Sequence, residues 1–545
     1  MMFVLVISLF SVTLTILAFP NDGTLVHTER GIIRGHILKS EKGNDYYAFQ
    51  EIPYAAPPIG ENRFQLPKPP KAWCGILNTT RNTKICYQTF VRYSNLEISE
   101  DCLYINVYTP QKPGSAHLLP VLLWIHGGAF RNESSTYEYF GPQYIMDHGV
   151  VAVTFNYRLG PFGWVGTEDG VIPVNLGLKD QRFAIEWVHR NIHLFGGNPK
   201  HVVLDGESAG SIAIGYHLMG PWEEGKQLFH GAIMQSGTPI AGLLLQDLDI
   251  TTATALQLGR RVDPSFASND TKELLELLQN ADAHDIIYSG ISGGVTIEEC
   301  GPFSYQAFQA FLDENYKKVP VLIGINSEEW GALALDTSEQ YLEELDNNPS
   351  ELVFPRLNVS PENRPIAGEL LKELYTHNTT FAGNLGYFIR FESDQLFTTA
   401  TCKQVELAST VVPYYLYQFS FKGYLGENMH ILPRLPPGCE KVVHAEEFHY
   451  MWDDGNNTDL SKFAEPERLM LHQFVVMWTN FVKYFNPTPV QDPLLYNFTW
   501  LPSEPETLRY ININTTFEMR EQPRQYPQVK QILEKYMEPP YNVFS

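Results

Sequence analysis

The sequence predicts an α/β protein with a large, mostly parallel central sheet and helices on both faces. Three observations carry this. Short, near-continuous apolar runs recur along the chain, as strands buried on both faces require. Helical patterns fall between them. Glycine-rich or acidic turns directly follow several runs, at the strand ends where open parallel sheets gather functional groups.

The strand candidates are Leu119–Ile125, Val150–Phe155, His201–Leu204, Ala232–Met234, Val321–Ile325 and Tyr414–Phe419. Between them, Asp180–Ile192 sets Phe183, Ala184, Trp187, Val188 and Ile192 on one helical face. Pro466–Phe485 also reads as a helix, and its charges at Glu467, Arg468 and Lys483 suit packing on a core rather than spanning a bilayer. Leu25–Leu38 reads as two short strands turned at Glu29-Arg30-Gly31. With no internal repeat or long linker, residues 21–545 are expected to form a single domain.

Of the 545 residues, 44% are apolar and 19% charged, a globular balance. The 39 Lys and Arg against 62 Asp and Glu leave a net charge of −23, which repels phosphate backbones and excludes nucleic acid as a partner. From Phe3 to Phe19 nothing is charged. Residues 1–20 are therefore expected to be a signal peptide cleaved near Ala18 or Pro20, an uncleaved anchor being the alternative. No similar run follows, so the expected product is secreted and extracellular, with no stable membrane insertion. Glycosylation sequons at Asn78, Asn269, Asn358, Asn378, Asn456, Asn497 and Asn514 agree with that compartment, as do six cysteines. Asn132 also heads a sequon, but its place just past a glycine-rich loop argues against a glycan there.

The chemistry begins at Gly206-Glu207-Ser208-Ala209-Gly210, between the strand ending at Leu204 and a helical run. This G-x-S-x-G pattern suits a sharp strand-to-helix turn that forces the serine into a strained conformation, with small flanking residues to avoid collisions. A serine hydroxyl needs a base, an acid to orient the base, and donors for the oxyanion. His126-Gly127-Gly128-Ala129-Phe130 follows the strand ending at Ile125, and Gly128, Ala129 and Ala209 are the candidate backbone N–H donors. The acid candidates are Glu328 and Glu329, equal on position alone. The base candidate is His444, which lies after both other members, with His449 as its rival. No metal or organic cofactor is required for this chemistry.

Together these pieces resemble the type-B carboxylesterase/cholinesterase family of α/β-hydrolases. Phe49–Pro58, Arg63-Phe64, Ser99–Val107, Asn156-Tyr157-Arg158, Asn175–Arg182, Phe195–Pro199 and Gln235-Ser236-Gly237 are similar to family segments, and the likeness spans nearly the whole mature chain. The resemblance implies Ser208 as nucleophile, Glu329 as acid and His444 as base. It implies Glu207, Ser236 and Glu447 around the histidine, a Cys86–Cys102 disulfide, and an ion pair between Glu100 and Arg158. Three pairings stay open for Cys74, Cys300, Cys402 and Cys439. The chain departs from the family at Trp330 and Ala445, where glycine is common. The segment between Cys86 and Cys102 contains no tryptophan, which argues against a choline ester, since a quaternary ammonium needs an aromatic face. GESAG replaces the GQSAG of many juvenile hormone esterases. The expected activity is hydrolysis of small to medium apolar esters. A specialised hydrolase of a hormone, pheromone or choline ester is one alternative. A non-catalytic adhesion protein like the neuroligins is another, discriminated by the presence of Ser208, Glu329 and His444.

Overall fold

A computed structural model of the protein describes residues 23–90, 95–220, 227–427, 432–455 and 459–545; the expected signal segment 1–20 and Asn456 lie outside them. Among the described residues, eleven strands form one sheet. In chain order they are β1 (His36–Lys39), β2 (Asp45–Pro53), β3 (Tyr104–Thr109), β4 (Leu119–Ile125), β5 (Val151–Phe155), β6 (Gly197–Glu207), β7 (Gly231–Gln235), β8 (Val321–Asn326), β9 (Tyr414–Phe419), β10 (Tyr510–Ile513) and β11 (Phe517–Arg520). Across the sheet they run β11-β10-β9-β8-β7-β6-β4-β5-β3-β2-β1. The centre from β10 to β5 is parallel. Antiparallel pairs close both margins.

Strand alternation decides which core each side chain joins. On β4, Val121, Leu123 and Ile125 enter one core, while Leu122 and Trp124 enter the other. Helices α1 (Leu176–Asn191) and α2 (Ala209–Met219) cover the first face. Two further helices, α3 (Leu385–Ser393) and α4 (Thr399–Ala408), are joined by a π-turn over Asp394–Thr398. On the opposite face, α5 (Glu465–Tyr484) packs Met470, Leu471, Phe474 and Trp478 into the second core.

The six central strands and both helices lie where the apolar pattern predicts them. One merged reading needs correcting. Leu25–Thr28 and Gly31–Arg34 pair as expected, but Leu38 belongs to β1, at the edge of the large sheet. Gly35 separates the two: a Cβ there would sit 2.4 Å from the Ala48 carbonyl oxygen on β2, so only glycine lets the chain cross at that point. Among the described residues, no helix is long and apolar enough to cross a membrane.

The sequons at Asn78, Asn269, Asn358, Asn378 and Asn497 are exposed, and Asn514 is half-buried. The Asn358 amide donates to the carbonyls of Glu538 and Pro539, at 2.9 and 2.8 Å. At Asn132 the side-chain oxygen is buried.

Candidate active site

Ser208 stands between β6 and α2 with φ 53° and ψ −123°, a conformation a non-glycine residue enters only under strain. The flanking glycines make the turn possible. A Cβ on Gly210 would lie 2.0 Å from the Ile125 carbonyl oxygen, and one on Gly206 would lie 2.9 Å from both that oxygen and the Gly210 carbonyl carbon. Helix and strand thus pack backbone to backbone. The Ser208 N–H donates to the Gln235 carbonyl at 2.8 Å, tying the turn to the end of β7. Within a buried stretch, Ser208 is only half-buried.

Parallel pairing of β4 with β6 sets Ile125 opposite Gly206, so the loop after β4 arrives beside Ser208. A Cβ on Gly127 would meet Glu207 Oε2 at 2.6 Å and Ser208 Cβ at 3.1 Å. Gly128 has φ +86°, and its carbonyl accepts from Arg131 and Asn132 at 2.9 and 3.0 Å, closing a tight turn. The loop is held from beneath. The Tyr157 hydroxyl donates to the His126 carbonyl at 2.8 Å, and the two rings stack with centroids 4.3 Å apart. Burial pushes the His126 pKa down to about 4, so this imidazole is neutral at physiological pH. Ala209 is the first residue of α2, where backbone N–H groups have no partner within the helix. The Cys86–Cys102 disulfide forms as the family resemblance implies. Two residues on, the Gln88 side chain receives the Glu133 N–H and donates to its carbonyl, bracing the far side of the loop.

Glu329 and His444 meet directly: Nδ1 lies 2.7 Å from Oε2. Backbone bonds bring their segments together, from Glu328 N–H to the Val442 carbonyl at 2.9 Å and from His444 N–H to the Glu329 carbonyl at 3.1 Å. The other Glu329 oxygen accepts from Ser236 Oγ at 2.6 Å and from the Asn326 N–H at 2.7 Å. This fully buried carboxylate therefore cannot rotate without losing three hydrogen bonds. The structure separates the two acid candidates. Glu328 turns away toward Arg390 and Arg524, at 3.4 and 3.8 Å. His449 is likewise occupied elsewhere, with Nε2 2.8 Å from Glu427. Glu447 is fully buried, accepting from Asn326 Nδ2 at 2.5 Å and from the Tyr417 hydroxyl at 3.2 Å.

On the far side of the imidazole, His444 Nε2 lies 3.1 Å from Glu207 Oε1. Burial works to lower the His444 pKa, but the charges of Glu207 and Glu329 outweigh it and raise the value to about 9. Burial also lifts Glu207 well above the ordinary carboxylate range, against the pull of His444, and raises Glu447 to about 7. Four carboxyls surround this region, since Asp205 is also fully buried and burial likewise holds its pKa high.

The Glu100–Arg158 ion pair expected from resemblance is not the pairing found. Glu100 takes Arg63 in a two-pronged bond at 2.6 and 2.5 Å, and Arg158 takes Asp180 at 2.7 and 2.7 Å. Each guanidinium gives its Nε and Nη2 to its own carboxylate, and its Nη1 to backbone carbonyls; Arg158 and Asp180 are both buried. Of the remaining cysteines, Cys74 and Cys300 are exposed, Cys439 is half-buried and Cys402 buried, all as free thiols.

Sequence reasoning missed several contributors. Asn326 links Glu329 to Glu447, 121 residues on in the chain, and Asp180, within the family-like segment Asn175–Arg182, anchors Arg158. Phe397 packs its ring 4.9 Å from that of His444, and no local pattern marked the π-turn that aims it there.

A parallel sheet flanked by helices, with a serine turn and a carboxylate–imidazole pair at its carboxyl edge, defines an α/β-hydrolase. The comparisons make the assignment narrower. The Carboxylesterase family model matches residues 22–531, so the chain belongs to that family and is a carboxylic ester hydrolase. It is 31% identical to a juvenile hormone esterase of Tribolium castaneum, over 91% of this chain and 89% of that protein. It is also 31% identical to Esterase FE4 of Myzus persicae, covering 91% of each. The solved structure of juvenile hormone esterase from Manduca sexta, with OTFP covalently attached, superposes with a TM-score of 0.82 at 25% identity, covering 94% of this chain and 99% of that one.

Proposed function

We propose that this carboxylesterase is a secreted serine enzyme that hydrolyses small to medium apolar esters through an acyl-enzyme. Ser208 Oγ attacks the ester carbonyl while His444, oriented by Glu329, takes its proton. The N–H groups of Gly128, Ala129 and Ala209 receive the developing oxyanion. His444 then protonates the departing alcohol, and water repeats the cycle to release the acid. The observation that carries this reading is the strained Ser208 turn at the sheet edge where Glu329 and His444 pair at 2.7 Å. Nε2 must take the serine proton, so its contact with Glu207 competes with catalysis and is strongest when the imidazole is charged.

Labelling with a fluorophosphonate probe tests the mechanism. One equivalent should bind the wild type and none should bind Ser208→Ala; a folded wild type that resists labelling sinks it. Secretion rests on the uncharged amino-terminal run. Amino-terminal sequencing of protein recovered from the culture medium should read from a residue near position 20, whereas an intact Met1 would overturn it.

A second reading, a dedicated hydrolase of a hormone ester, is favoured by the similarity to two proteins named juvenile hormone esterase. The GESAG motif speaks against it. Specificity constants across acyl and alcohol chain lengths separate a generalist from a specialist.

A further inference from the structure

Beside the imidazole lies a small apolar cluster that borders the first sheet core. Ile325, Leu396 and Phe397 form its buried part, and Leu243, Trp330 and Phe354 pack on it half-buried. Two features aim this cluster at the site. The π-turn over Asp394–Thr398 adds a residue to the helical path. Asp394 thereby faces Tyr375 and Arg524, while Phe397 comes within 4.9 Å of His444. Such π-turns recur at functional sites because they re-aim side chains. Trp330 directly follows Glu329, and its N–H donates to Ser393 Oγ at 2.9 Å, one residue before the π-turn. Its ring then stands 6.3 Å from that of Phe397, so the sequence His444, Phe397, Trp330 makes a continuous aromatic wall.

We infer that Trp330 is a specificity-determining residue, which together with Phe397 receives an uncharged hydrocarbon chain of the ester beside the imidazole. This rests on the serine reading above and adds to it the chemical class of the group bound. The leaving oxygen must come within reach of His444 Nε2, so groups extending from the reacting ester centre pass along whatever covers that ring. All six side chains of the cluster are apolar. A chain lying on them exchanges water for hydrocarbon, worth about fourfold in affinity for each methylene buried. Trp330 is the half-buried end of the wall, so its removal shortens the surface offered to a long chain more than it disturbs a short one.

The test compares wild type with Trp330→Ala on two ester series. One lengthens the acyl chain of p-nitrophenyl esters from acetate to octanoate; the other lengthens the alcohol of acetate esters from ethyl to octyl. The preference in kcat/KM for the longest over the shortest member should fall about tenfold in at least one series, the equivalent of roughly two methylenes. Trp330→Phe should recover most of that preference. Fluorophosphonate labelling of each variant reports a folded, reactive serine independently of chain selectivity. Loss of labelling from wild type defeats the serine reading. A Trp330→Ala protein that labels normally and keeps the wild-type preference in both series defeats this one. If Trp330→Ala does not label, Phe397→Ala and Trp330→Leu are read by the same criterion.

Discussion

The Nε2 of His444 lies 3.1 Å from Oε1 of Glu207, the residue immediately before the serine. If His444 is the general base proposed above, it must be neutral to act, so activity should rise with pH through the imidazolium pKa. The ordinary histidine value would put that rise near 6.5. Glu207 and Glu329 raise it to about 9, so the acid limb of kcat/KM should lie well above 6.5. Glu207→Gln removes the carboxyl group that favours the charged imidazole at Nε2 and should move the limb to lower pH. A pH profile on a neutral ester checks both, and an unmoved limb counts against the role of Glu207.

Removing the proposed nucleophile should cost most of the catalysis. Ser208→Ala should lower kcat on a p-nitrophenyl ester by about 10⁴-fold or more, as loss of a triad serine does elsewhere. Stopped assays with titrated active sites measure the residue that remains.

Glu329→Gln keeps the shape but offers the imidazole the wrong partner, and a fall in kcat of about 10⁴-fold is expected. Ser236→Ala deletes one of the bonds on the other oxygen, 2.6 Å long, and should cost about tenfold, the worth of a single hydrogen bond. Comparing the two variants separates orientation from charge.

Gly127→Ala should damage kcat more than stability. Its Cβ would press on Glu207 and Ser208, the atoms that must hold still, rather than on the core. Gly210→Ala, with 2.0 Å to the Ile125 carbonyl oxygen, should instead lower the melting temperature, because strand and helix must part. Thermal denaturation beside steady-state kinetics distinguishes them.

The Cys86–Cys102 bridge closes a loop with a sequence separation of 16. On loop-closure entropy, replacing both by serine should cost about 3 kcal/mol. Denaturant titration of the double variant gives the value directly.

The sequence by itself determined the central strands and the serine turn, because those rest on local pattern. A buried parallel strand must be apolar along its length, and a strained turn between strand and helix demands small neighbours; both requirements are written in consecutive residues. Position alone left two acid candidates equal and only the family resemblance preferred Glu329; the tertiary structure supplies the physical reason. Glu328 and Glu329 are adjacent and alike, and backbone bonds to residues 442–444 turn one toward His444 and leave the other to Arg390 and Arg524. It also decided that Glu100 and Arg158 each take another partner, and that Phe397 faces the imidazole. Those outcomes depend on which surfaces meet once the sheet has formed. Groups far apart in the chain compete for the same partners there, and burial makes each unpaired charge too costly to leave over.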